Sequence, residues 1–149
     1  MPGALKFSEA FVLGLHATAL ISKNSGDKIS VAHISDDLKC SFAHLQKILQ
    51  RLVKAGIIGS TRGPKGGYVL ARDAQHIKLL DIYEAIEGQF KQCSCLFDTP
   101  VCQDNICILG TLTEDVNTHI WNYFTKNSIA DISNSQLPNF VSIQNKSEV

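Results

Sequence analysis

The sequence predicts a mainly α-helical chain carrying one small β-hairpin, and three features predict it. Apolar residues recur at helical spacing in five segments, most clearly at Leu45, Ile48, Leu49, Leu52 and Val53. Two β-prone runs flank Gly63-Pro64-Lys65-Gly66-Gly67, and a polar, cysteine-bearing stretch separates the last two helical segments. At 149 residues, 44% hydrophobic and 19% charged, the chain is sized for one domain with a short appended element, not for a multidomain enzyme.

Ser8 is placed to cap a first helix that runs to about Ser22, with Phe11, Leu15 and Ala19 on one stripe. After a loop over 24–28, Ser30 caps a short second helix, Val31 to about Leu38. Lys39-Cys40 forms the turn, and Ser41 caps the third helix, which Ala55-Gly56 stops by a left-handed residue. The opposite side of that third helix shows His44, Lys47, Arg51 and Lys54. A short helix, a tight turn and a second helix with a basic outer side fit a helix-turn-helix, although a helical hairpin without a nucleic-acid role has the same apolar pattern.

The β-prone runs Ile57 to Arg62 and Tyr68 to Leu70 form a hairpin with Lys65 at its tip, which makes the domain a winged helix-turn-helix. A plain hairpin turn requires the same glycines. Leu79 to Glu87 is a fourth helix, closed by Gly88. Leu109 to about Asn127 is a long fifth helix with Leu109, Leu112, Val116, Ile120, Tyr123 and Phe124 along one side. That stripe needs a partner surface: a second copy of the chain, its own first helix, or both. Ser128 to Asp131 resembles a capping box and opens a further short turn. The expected domains are therefore 1–88 for the winged helix-turn-helix, 89–108 for a cysteine-rich loop, 109–132 for a dimerisation helix and 133–149 for a disordered polar tail.

Fourteen basic and fourteen acidic residues cancel, yet they are unevenly placed. From Leu38 to Arg72 the cations Lys39, Lys47, Arg51, Lys54, Arg62, Lys65 and Arg72 occur without one Asp or Glu. A phosphate-facing surface needs that exclusion, whereas a merely solvated basic face does not. Ser41, Ala43, His44, Gln46, Lys47, Arg51, Arg62 and Lys65 are the candidate DNA contacts, with base edges read by the third helix and phosphates or the minor groove met by the wing.

Four of the five cysteines, Cys93, Cys95, Cys102 and Cys107, fall within fifteen residues between the fourth and fifth helices. No signal peptide or membrane-spanning run is evident, so the chain is expected to be cytoplasmic, where thiols serve as ligands or redox groups more than as a disulfide framework. Asp98-Thr99-Pro100 can fold the loop back, and Ser94, Asp98, Gln103, Asp104 and Asn105 make it a poor core segment. Soft thiolates there suit an iron–sulfur cluster or zinc, which ligand type alone does not separate; buried thiols without metal are the remaining reading. Cys40 in the helix-turn-helix turn is read as a small core side chain.

The run Arg62-Gly63-Pro64-Lys65-Gly66-Gly67-Tyr68, the segment Leu45 to Ser60 before it, and three cysteines ahead of a long helix resemble the Rrf family of winged-helix regulators, whose iron–sulfur members include IscR and NsrR. The resemblance spans roughly 4–132. It implies a homodimer joined through the long helix, a palindromic double-stranded DNA operator, and a 2Fe-2S or 4Fe-4S cluster held by Cys95, Cys102 and Cys107. The spacings of six and four residues depart from the five and five of some members, and Gly110 stands where IscR-like members have a histidine ligand. The fourth ligand stays open between Cys93 and Glu9 of the neighbouring subunit, the latter matching an acidic ligand of the NsrR-like branch; Glu9 also suits a first helical turn simply as a carboxylate.

The expected function is thus DNA-binding transcriptional regulation, as a repressor that senses redox state, nitric oxide or iron–sulfur supply. The alternative is a zinc-stabilised or metal-free winged-helix repressor controlled by a protein or small-molecule partner. Catalysis is not expected: Cys93-Ser94-Cys95 lacks the two-residue gap of a redox pair, and no base or nucleotide loop is placed. A pure interaction module leaves the carboxylate-free stretch unexplained.

Overall fold

Serine hydroxyls set the start of each of the first three helices, and the rest of the fold is hung from them. In the structure, a computed structural model that describes residues 5–24, 26–102 and 106–135, Ser8 Oγ accepts the Phe11 N–H and starts α1, Glu9–Lys23. Ser30 starts α2, Val31–Leu38, and Ser41 starts α3, Phe42–Lys54, by the same bond to the third helical residue. Between α2 and α3 the chain turns through Lys39, which takes a left-handed conformation at φ 51°. After α3, Gly56 at φ 71° releases the chain into the hairpin β1, Ile58–Thr61, and β2, Gly67–Leu70. The strands pair antiparallel, with Ile58 opposite Leu70 and Thr61 opposite Gly67.

A short 3-10 turn, Ala74–His76, precedes α4, Leu79–Glu87. The Lys78 N–H donates to Asp81 Oδ2 (2.9 Å) at its start, and Gly88 ends it at φ 88°. An irregular segment carrying the cysteines follows, then α5, Leu112–Lys126, and α6, Ile129–Ser135. α5 starts three residues after the Leu109 expected for the fifth helix and ends one residue before the expected Asn127. Residues 108–111 form a turn through Gly110 at φ 60°, and Asn127 is extended at ψ 139°. A new helix then starts at Ser128, whose N–H and hydroxyl both donate to Asp131 Oδ2 at 2.7 Å. Residues 133–135, expected in the polar tail, are helical; the remainder of that tail, 136–149, lies outside the described residues, as do Gln103, Asp104 and Asn105.

The core forms around α1, which meets α2, α3, α4, α6 and β2. Only a stripe of α1 was expected inside, yet Leu13, Ala17, Thr18, Leu20 and Ile21 are buried besides Phe11 and Ala19. A helix apolar on nearly every side belongs in the middle of a fold. Its one buried hydroxyl is satisfied, since Thr18 Oγ1 donates to Gly14 O at 2.8 Å. The stripe of α3 packs as its spacing predicts, with Leu45, Ile48, Leu49 and Leu52 buried against Ile34, Ile58 and Ile82 in one cluster. α5 splits in two: Phe124 joins the core and Ile120 packs half-buried against it, whereas Leu112 (55% exposed), Val116 (39%) and Tyr123 (46%) face outward.

Candidate DNA-binding surface and cysteine site

The exposed side of α3 and the hairpin tip lie on one surface, and backbone geometry joins them. Ile29, just before the α2 cap, exchanges both backbone hydrogen bonds with Tyr68 of β2, so the wing is fastened to the first helix of the helix-turn-helix. Gly66 and Gly67 make that approach possible. A Cβ on Gly66 would collide with the Thr61 carbonyl oxygen, and one on Gly67 would sit 2.8 Å from Ile29 O. Between α3 and the wing runs a groove of about 500 Å³ lined by Val31, Phe42, Gln46, Gln50, Arg62 and Tyr68, among others.

Ala43, Gln46 and Lys47 are exposed on α3, Ser41 is exposed at its cap, His44 is half-buried, and Arg62 and Lys65 are exposed on the wing. No carboxylate of a described residue pairs with Lys39, Lys47, Lys54, Arg62 or Lys65, so this surface presents uncompensated positive charge. Two of the expected cations are engaged. Arg72 Nη2 lies 3.5 Å from Asp81 Oδ2, and Arg51 Nη1 donates to Ile86 O (3.1 Å) near the end of α4, which fixes α4 against the recognition helix. The sequence reading missed Phe42, which is 49% exposed, and Gln50; their spacing from Gln46 by four residues each was the available signal.

The cysteine segment is rooted by aromatic side chains. Phe90 packs on Tyr83 of α4 at 5.3 Å between ring centres and on Trp121 of α5 at 5.5 Å, and its N–H donates to Glu84 Oε1 at 3.0 Å. Tyr83 continues into a cluster with Phe11 and Phe124. Beyond this root the segment folds around a cavity of about 480 Å³ lined by Cys95, Cys102, Cys107, Gly110, Thr111 and Glu114, among others. All three thiols expected as ligands are thus on one cavity. Cys95 Sγ accepts the Phe97 N–H (3.5 Å) and Cys107 Sγ accepts the Leu109 N–H (3.4 Å). Backbone amides are thus aimed at two of the three sulfurs.

Cys93 is exposed and is not among the residues lining the cavity; its carbonyl oxygen and Sγ are both approached by Asn117 Nδ2, at 3.3 and 3.6 Å. Glu9 opens α1 at a different place, near Cys40. Cys40 is half-buried against the core, and its thiol is pushed up by burial and by the charge of Glu9, with its backbone N–H acting the other way. Among the described residues no three Cys, His, Asp or Glu side chains converge closely enough to hold one metal ion. A cluster distributes its ligands over separate irons, and the soft donor set around one cavity fits that group. No helix among the described residues is long and apolar enough to cross a membrane.

The Rrf2 family model, described as iron-dependent transcriptional regulators, matches residues 7–135. The chain is 30% identical over 131 residues to a protein of Aquifex aeolicus (strain VF5) assigned to the HTH-type transcriptional regulators, covering 86% of this chain and 91% of that one. It is 29% identical over 108 residues to the HTH-type transcriptional regulator IscR of Yersinia pseudotuberculosis, covering 72% of this chain and 66% of the relative. Among solved structures it is similar to IscR of T. potens, with 28% identity and a TM-score of 0.66 over 87% of this chain and 86% of that one. It also resembles CymR, the global cysteine regulator of B. subtilis, with a TM-score of 0.75 over 90% of this chain and all of that one; at 23% identity this likeness concerns the fold.

Proposed function

The chain belongs to the Rrf2 family of HTH-type transcriptional regulators, proteins that bind DNA and are not enzymes, and we propose that it is a homodimeric repressor whose operator binding is governed by an iron–sulfur cluster in the cysteine loop. The observation that carries the reading is the placement of Cys95, Cys102 and Cys107 on one cavity, with backbone N–H groups aimed at two of the sulfurs. A bound cluster would tie together three points of a segment that is otherwise anchored mainly at its root.

The chain's own residues relay the state of that segment toward DNA. Phe90 and Trp121 join its root to α4 and α5, and Arg51 holds the end of α4 to the recognition helix. The outward stripe Leu112, Val116 and Tyr123 of α5 supplies the apolar face for a second copy. Two recognition helices related by that dimer would read half-sites about one helical turn apart on a palindromic operator. Ala43, His44, Gln46 and Lys47 are assigned to base edges or their vicinity, and Ser41, Arg51, Arg62 and Lys65 to phosphates or the wing site.

An anaerobic visible spectrum of the freshly purified protein, with iron, sulfide and zinc assays and footprinting before and after cluster loss, tests the proposal. The expected result is a coloured protein with matching iron and sulfide whose symmetric footprint changes when the colour is lost. A colourless protein with stoichiometric zinc after growth in ample iron would overturn it.

A further inference from the structure

Resting on the cluster reading above, we infer that Glu114 supplies the fourth ligand, an oxygen from the same chain, so that the cavity offers three thiolates and one carboxylate. Glu114 lies in the first turn of α5 and lines the same cavity as Cys95, Cys102 and Cys107. A carboxylate in a first turn is ordinarily explained by the helix dipole alone. Here a second observation stands beside it: the side chain borders the thiol-lined cavity and makes no hydrogen bond or ion pair with any described residue. Its neighbour Asp115 has no such freedom, because Thr111 Oγ1 donates to Asp115 Oδ2 at 2.8 Å.

The other candidates are placed less well within one chain. Cys93 is not among the cavity residues, and its sulfur is met by Asn117. Glu9 lies near Cys40 in the helix-turn-helix turn and could take part only from the partner subunit. Gly110 brings no side chain to the cavity rim it helps to line, and Glu114, four residues on and inside the first turn of α5, lines the same cavity. Glu114 is thus the carboxylate that lines the cavity together with the three thiols. An oxygen donor is harder than a thiolate and holds iron of a sulfide cluster more weakly, so this ligand is the one most readily released.

The test uses the full chain reconstituted anaerobically with ferrous iron and sulfide. Iron and sulfide per chain, the visible circular dichroism and the rate of iron release to a chelator are compared for wild type, Glu114→Gln, Glu114→Cys, Cys93→Ser and Glu9→Gln. Far-UV circular dichroism of each metal-free form verifies folding, which the exposed position of Glu114 should leave intact. Glu114→Gln is expected to change the visible spectrum and to release iron about tenfold faster or more. Glu114→Cys should keep full loading with a more thiolate-like spectrum and slower release, and the other two variants should follow wild type. A loaded wild type with an indifferent Glu114→Gln, or with the loss appearing instead in Glu9→Gln or Cys93→Ser, overturns the ligand assignment alone. A wild type that takes up neither iron nor sulfide overturns the cluster reading and the assignment together.

Discussion

Ile29 and Tyr68 exchange two backbone hydrogen bonds, Ile29 N to Tyr68 O at 3.1 Å and Tyr68 N to Ile29 O at 2.9 Å, and through them the wing takes its position from the start of α2. Gly67 sits within this contact, where an added Cβ would approach Ile29 O to 2.8 Å. Gly67→Ala should therefore push the two segments apart, costing about 1–3 kcal/mol of stability. Denaturant unfolding reads that cost. Operator affinity measured below the transition should fall as well, because Arg62 and Lys65 move with β2; unchanged affinity would show that the wing's position does not matter to binding.

Lys65 is exposed at the hairpin tip with no carboxylate partner among the described residues. Lys65→Glu should weaken binding to operator and non-operator DNA alike and reduce the salt slope by about one ion or more. Gln46→Ala should behave differently. A glutamine that meets a base edge contributes about 1–3 kcal/mol to the matched site only, so the operator's advantage over random DNA shrinks while the slope stays. Titrations at several salt concentrations separate the two patterns.

The parts of this fold written in local signals were legible in the sequence. Ser8, Ser30 and Ser41 announce helix starts because a cap acts within three residues, and Gly56 announces an end for the same reason. What lay beyond was decided by distant neighbours. The capping-box pattern of Ser128 to Asp131 marks a break after Asn127, but not that the junction is pinned to α4, where Leu79 N donates to Asn127 O at 3.1 Å. Arg51 reads as another surface cation until the Ile86 carbonyl, 35 residues away, is found at its guanidinium. Arg51→Ala should accordingly lower stability by about 1 kcal/mol, which no purely phosphate-facing arginine would do. Spacing marked out four clustered cysteines, and only the resemblance to the Rrf family picked Cys95, Cys102 and Cys107 from them, whereas nothing marked Glu114: a carboxylate in a first helical turn carries no sign of the cavity it borders.

Val116 is exposed between Leu112 and Tyr123 on the outer side of α5, away from Phe124 and the core. Val116→Asp should therefore leave the winged core folded while opposing association of two such faces. Sedimentation should show the mass halve relative to wild type at equal concentration. Operator affinity should drop about 100-fold or more, since each recognition helix then binds without the other. A dimer that persists with full affinity would place the interface elsewhere.

Asp131 ties α6 to the end of α5, and its carboxyl is held below the ordinary range by the Ser128 backbone N–H and then by the Ser128 hydroxyl, against a smaller opposing effect of burial, with Lys78 contributing least. A carboxyl whose folded value is depressed stabilises the fold when ionised. That stabilisation is present in full above the unfolded value, near pH 3.9, and is lost as pH falls through the lower folded value. Asp131→Asn keeps the size of the side chain and removes this charge. The variant should be less stable than wild type at neutral pH, and the difference should shrink progressively in acid until the two unfold alike. α6 carries the buried Ile129, packs on α1 and bridges Lys78 through Ser128, so its loosening should appear first as faster amide exchange over Ile129 to Ser133. A stability difference that stays constant from neutral to acid pH would mean that the carboxylate charge has no part in holding α6, and that Asp131 acts there only through its shape.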